Sequence, residues 1–118
     1  NLFDFLYFSI QSILDYLGIK TTIKISSELD IDHTLKHQDR VISICNNMKS
    51  KTYINSIGGL SLYNNESFKS SGIDLLFIKS LLKINGLDHS LSIIDLLMEY
   101  SKKEINQMLN KYELIKND

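Results

Sequence analysis

The chain has 118 residues, enough for one domain with a real core and too few for two. Hydrophobic residues make up 43% and charged residues 23%, an ordinary globular balance. The net charge of -1 excludes a general nucleic-acid binder, which needs a clustered excess of Lys and Arg. In chain order, Leu2, Leu6, Ile10, Ile13, Leu14 and Leu17 recur at three- and four-residue spacing, so residues 2–17 are predicted to be a helix. Gly18 is its left-handed stop. Ile19, Thr21, Ile23 and Ile25 alternate with Lys20, Thr22 and Lys24, which predicts a strand over 19–25. Ser26-Ser27-Glu28-Leu29 leaves that strand. Asp32 or Thr34 is the expected cap of a second helix, whose apolar face holds Val41, Ile42, Ile44, Cys45 and Met48.

A short strand is expected over 51–55, broken by Ser56-Ile57-Gly58-Gly59. A short helix over 64–71 ends at Gly72. Residues 73–78 are nearly continuous in apolar character, as a covered parallel strand should be. Lys79 to His89 is expected to be a loop with a turn at Asn85-Gly86. Ser90 is the expected cap of a fourth helix over 92–100. Ser101-Lys102-Lys103-Glu104 is a capping-box pattern for a last helix reaching about Leu114.

Strand, helix, strand, helix, strand is a βαβαβ order. It predicts a small α/β domain, layered helix-sheet-helix, with three parallel strands at 19–25, 51–55 and 73–78. This is half of a doubly wound layout, and a three-stranded sheet is small enough that a partner half would complete it. The first helix, with Phe3, Phe5, Tyr7 and Phe8, is expected to cover an interface with a missing half or with a second copy, making residues 1–17 a homo-oligomer surface. The chain begins Asn1-Leu2-Phe3 without a methionine, which points to a fragment. Cys45 is the single cysteine, so no intramolecular disulfide forms and a cytoplasmic location is expected. No apolar run approaches the length of a membrane span.

Three stretches carry a family resemblance. The first is Ser26-Ser27-Glu28-Leu29 followed by Arg40-Val41-Ile42-Ser43-Ile44-Cys45. The second is Thr52-Tyr53-Ile54-Asn55-Ser56 with Gly58-Gly59, then Tyr63, Phe68 and Gly72-Ile73. The third is Leu91-Ser92-Ile93-Ile94-Asp95-Leu96-Leu97. In this order and spacing the chain resembles the second, C-terminal half of the WbqC-like protein family. The Gln-Pro and Gly-Tyr-Phe signature of that family's first half has no counterpart here, and the loop from Lys79 to His89 lacks the family's aromatics and proline. The resemblance implies a role in O-antigen (lipopolysaccharide) or related surface-polysaccharide synthesis. Transfer of a small amino-acid or acyl group to a sugar is the implied candidate reaction, with a sugar or nucleotide-linked substrate. It assigns no catalytic residue and no cofactor. A non-catalytic interaction module of the same machinery and a nucleotide-binding module are the alternatives.

Ligands of open parallel sheets gather beyond the carboxyl ends of the strands. That places Ser26, Ser27, Glu28, Asn55, Ser56, Gly58, Gly59 and Lys79-Ser80 as candidate ligand contacts. The Gly pair lets backbone N–H groups approach an anion, although Gly-Gly is also a routine turn. Ser27 and Glu28 also fit simple capping. Arg40 stands alone against twelve lysines, in a chain without alanine, proline or tryptophan whose lysine and asparagine richness fits an AT-rich genome. Its planar fork suits two-toothed contact with the phosphate or carboxylate of a donor. An internal ion pair with Glu28, Asp32 or Asp39, or plain exposure, is the alternative.

His33 and His37 are four residues apart and, with Asp32 or Asp39, form an H-x-x-x-H pattern without a clear third ligand, so no metal site is assigned. Cys45 sits on an apolar helix face, where it is a small hydrophobe. Asp95 belongs to a solvated face or to the family motif, Tyr53 and Tyr63 to a pocket wall or to packing, and His89 to the surface.

Overall fold

The computed structural model describes residues 1–88 and 92–116. In chain order its elements are α1 (Leu2–Leu17), α2 (His37–Asn47), β1 (Thr52–Ser56), α3 (Asn65–Ser70), β2 (Asp74–Ser80), β3 (Lys83–Ile84), β4 (Leu87–Asp88), α4 (Ile93–Glu99), α5 (Lys102–Met108) and β5 (Tyr112–Ile115). The chain divides into two compact units. One holds residues 1–23 and 82–111, the other residues 24–81 and 112–118.

In the first unit α1 has the predicted bounds. The Asn1 side chain accepts from the Asp4 N–H, and Gly18, at φ 72°, closes the other end. The Gly18 N–H bonds the Asp15 carbonyl and the Ile19 N–H the Leu14 carbonyl, which is a Schellman cap. Leu17, Ile84, Leu96 and Ile105 form the buried centre, with Ile13, Leu97 and Met108 packed against it. The Ser101–Glu104 capping box is present and starts α5 where the sequence puts it. The α4 cap is Ser92, whose side chain accepts from the Ile94 N–H. His89, Ser90 and Leu91 lie outside the described residues.

The expected 79–89 loop instead continues β2 to Ser80 and then forms a β3–β4 hairpin. Asn85 and Gly86 both take positive φ, 53° and 75°. That is the mirror-image two-residue turn whose twist matches a hairpin, and Asn-Gly is its strongest sequence signal.

The second unit is a small mixed α/β sheet, not three parallel strands. The strand order is β1-β2-β5. β1 and β2 are parallel, as expected, while β5 runs antiparallel to β2, pairing Phe77 with Ile115 and Ser80 with Tyr112. Residues 19–25 take no place in a sheet. Their alternation is real as burial, since Ile19, Ile23 and Ile25 are half-buried and their lysine and threonine neighbours are exposed. Period two reports which side chains turn inward; it does not supply a pairing partner. The third strand comes from residues expected in the last helix. α5 stops at Met108, and the β-favouring Tyr112 and Ile115 complete the free edge of β2.

Cys45, Phe68, Ile73, Leu75 and Phe77 are the buried core of this unit, with Val41, Ile42, Tyr53 and Tyr63 packed against it. α2 and α3 cover one face of the sheet through these contacts. On the opposite face Ile54, Ile78 and Leu114 are exposed. A sheet covered on both faces was the expectation for 73–78, and it fails because β2 alternates buried Leu75 and Phe77 with open positions.

α2 also starts later than its expected cap. The Asp32 carboxylate is occupied locally, accepting from the Thr34 N–H at 2.9 Å and the Thr34 hydroxyl at 2.6 Å. The chain then turns, and the helix begins at His37, whose φ is 50°. No helix among the described residues is long and apolar enough to cross a membrane.

Candidate functional site

The carboxyl end of β1 carries a packed polar network. Tyr53 and Asn55 alternate onto the helix-covered face of the sheet, beside Leu75 and Phe77. The Asn55 amide donates to the Tyr53 hydroxyl at 3.2 Å. Its carbonyl oxygen accepts from the Ser56 N–H at 2.7 Å. Tyr53 stacks on Phe68, with ring centroids 5.6 Å apart, and Tyr63 meets both rings edge-on. Burial and a hydrogen bond with Tyr63 push the Tyr53 phenol well above its ordinary range.

Ile57–Gly59 form a single tight turn over this network. A side chain at Gly59 would meet the Asn55 amide at 3.2 Å and the Tyr63 ring at 3.3 Å, so the turn lies directly on them. Gly58 has open space. The Gly pair therefore serves close packing at its second position.

Tyr63 also lines a cleft of about 760 Å³. One wall is residues 34–39, at the start of α2; the other is residues 61–64, leading into α3. Gln38 ties the walls together. Its carbonyl oxygen accepts from the Asn64 N–H at 3.0 Å, and its amide reaches the Ser67 hydroxyl at 3.5 Å. The Asn64 side chain caps α3 by accepting from the Ser67 N–H at 3.1 Å. Both amides are thus held in place, which makes the cleft a preformed one. Its charged groups are Lys36 and Asp39, one of each sign, and His37 adds an imidazole.

The candidate residues separate in space. Asn55 and Gly59 touch Tyr63 or its ring partners beneath this cleft. Ser56 and Gly58 are exposed beside them. Ser26, Ser27 and Glu28 form an exposed helical turn that follows an unpaired segment, so they do not sit at a strand end. Lys79 pairs with Glu113 of β5 at 3.5 Å.

Arg40 is half-buried, and its guanidinium points to the His33 carbonyl at 3.4 Å. Among the described residues no carboxylate reaches it within salt-bridge distance. His33 bonds the Leu29 carbonyl and lies outside α2, so it shares no helix face with His37. Among the described residues no cluster of three metal-ligating side chains forms. Cys45 is buried, and burial pushes its thiol up. Asp95 is exposed in the first turn of α4.

Sequence reasoning missed Gln38, Asn64, Ser61 and Leu62. The Asn64-x-x-Ser67 spacing is a readable cap signal. Nothing local marks Gln38, because its partners are 26 and 29 positions away.

The architecture is that of a small mixed α/β protein with a polar cleft beside the carboxyl end of a parallel strand pair. The chain belongs to the WbqC-like protein family, whose model matches residues 1–107. The match is nearly the whole chain, wider than the C-terminal-half resemblance carried by residues 26–97, and takes in α1 as well. No curated protein and no solved structure matches it.

Proposed function

We propose that this protein acts in the biosynthesis of a bacterial surface polysaccharide of the O-antigen or lipopolysaccharide kind, as part of a transferase that adds a small amino-acid or acyl group to a sugar. The observation that carries this reading is the family match over residues 1–107. The cleft between residues 34–39 and 61–64 supports it as the place where a substrate is held. His37 and Asp39 are the groups there that can accept a proton from a substrate hydroxyl. On this reading the protein works in the cytoplasm.

A second reading is a non-catalytic interaction module of the same machinery. It is favoured by the exposed Leu2, Phe5 and Phe8 of α1, a surface suited to a partner protein or to a second copy. Deleting the gene and analysing the surface polysaccharide by mass spectrometry separates the two. Loss of one substituent, with the glycan chain retained, fits a transferase. Loss of the whole polymer fits an assembly role. An unchanged polysaccharide overturns both.

A further inference from the structure

The same cleft has a charge balance that narrows its ligand. We propose that it takes an uncharged, hydroxyl-bearing group, a pyranose or a similar polyol, and leaves any phosphate handle outside; this rests on the reading of the protein as one that handles sugars. Phosphate recognition is built from cations, above all arginine forks, and from free backbone N–H groups at helix N-termini. The chain has a single arginine, and Arg40 points at the His33 carbonyl and lines no part of the cleft. The two charged side chains that do line it, Lys36 and Asp39, cancel. Asp39 also lies in the first turn of α2, where its carboxylate offsets the positive end of the helix. A diphosphate entering here would bring negative charge toward Asp39 with one lysine to balance it.

What the cleft does offer is the mixture that suits a sugar ring. Ser61 and Thr34 present hydroxyls, and the Thr34 hydroxyl already donates to Asp32, so it faces a ligand as an acceptor. Asp39 is exposed, and its two carboxylate oxygens can accept hydrogen bonds from two hydroxyls. Leu62 is 70% exposed on the cleft wall, and nothing in the fold's own core explains a leucine there. Beside half-buried Leu35 it gives the C–H face of a ring an apolar surface. The volume, about 760 Å³, is ample for one or two sugar units.

The test uses the whole chain labelled with nitrogen-15. Its amide spectrum is followed while methyl glycosides of glucose, galactose, N-acetylglucosamine and rhamnose are added, and separately uridine diphosphate and inorganic phosphate. The expected result is that at least one glycoside moves the amides of residues 34–39 and 61–64 saturably, and that neither phosphate compound does. Asp39→Asn and Leu62→Ser, both at exposed positions, are expected to weaken that glycoside at least tenfold while leaving the rest of the spectrum in place. Movement of these amides by uridine diphosphate or phosphate overturns the proposal, and so does the absence of movement with every glycoside. Failure of the functional reading is seen separately, as an unchanged polysaccharide after gene deletion.

Discussion

A methyl group added at Gly59 would lie 3.2 Å from the Asn55 amide and 3.3 Å from the Tyr63 ring, and neither neighbour is free to retreat. Asn55 is held by Tyr53 and by the Ser56 N–H, and Tyr63 by two aromatic contacts. Gly59→Ala is therefore expected to destabilise the protein by about 1–3 kcal/mol through overpacking, whereas Gly58→Ala should stay within about 0.5 kcal/mol. Urea unfolding of the two variants checks this. The buried phenol below them sets an alkaline limit. In the folded chain Tyr53 is held protonated above its ordinary value of 10.0, and Cys45 above 9.0. The unfolded chain releases those protons first. Stability is thus fully present below about pH 9 and falls as pH rises through the ordinary thiol and phenol range. Tyr53→Phe should lower stability at pH 7 by about 1 kcal/mol, because the Asn55 amide loses its acceptor, yet flatten the decline above pH 10. Stability curves against pH for both chains decide it.

Three helices end in the same way, and one of them uses an unsuitable residue. α1 and α3 close on Gly18 and Gly72 in the left-handed region. α2 closes on Lys49 at φ 54°, with the Lys49 N–H on the Asn46 carbonyl and the Ser50 N–H on the Cys45 carbonyl. A side chain in that conformation costs about 1–2 kcal/mol, part of which glycine's greater freedom in the unfolded chain offsets. Lys49→Gly should stabilise the protein by roughly 0.5 kcal/mol, read as a higher melting temperature. At the other end of a helix, the Ser101 hydroxyl and N–H hold the Glu104 carboxyl below its ordinary value of 4.5. A depressed carboxyl contributes stability above that value and loses it as pH falls through the lower folded one. Ser101→Ala should raise the Glu104 titration midpoint measured by NMR and cost about 1 kcal/mol. These local devices explain what the sequence made readable. α1, the α5 start, α3, β1 and β2 are each marked by nearby residues such as Gly18, Ser101, Glu104 and Gly72. β5 was not, because its strand character is decided by the open edge of β2 and not by its own four residues. The site was readable only in part for the same reason. Asn55, Gly59 and Tyr63 are marked by their stretch of chain, while Gln38 earns its place through distant partners.

Among the described residues, Leu2, Phe3, Phe5, Leu6 and Phe8 of α1 and Ile54, Ile78 and Leu114 of the sheet are exposed apolar side chains. Phe5 and Phe8 are 67% and 72% exposed, so removing their rings takes little from the core. The double variant Phe5→Ser with Phe8→Ser should unfold within about 1 kcal/mol of the parent, since surface changes are small. It should also suppress any concentration-dependent association of the parent seen by sedimentation. Equal association of both chains would show that α1 is not the sticky surface.

The order of the chain through its two units has a consequence for how the protein is made. β2 and its partner β5 are separated by residues 81–111, of which 82–111 belong to the other unit. The ribosome releases the amino end first, at about 5–20 residues per second. After Ser80 has been made, the strand edge that β5 will cover waits roughly two to six seconds for its partner to be synthesised. An unpaired apolar strand edge is a template for any neighbouring chain, and nascent chains on one messenger are close neighbours. The yield of soluble protein should therefore depend on translation speed and on chaperone supply more than the stability of the finished fold suggests, with the loss arising before β5 emerges.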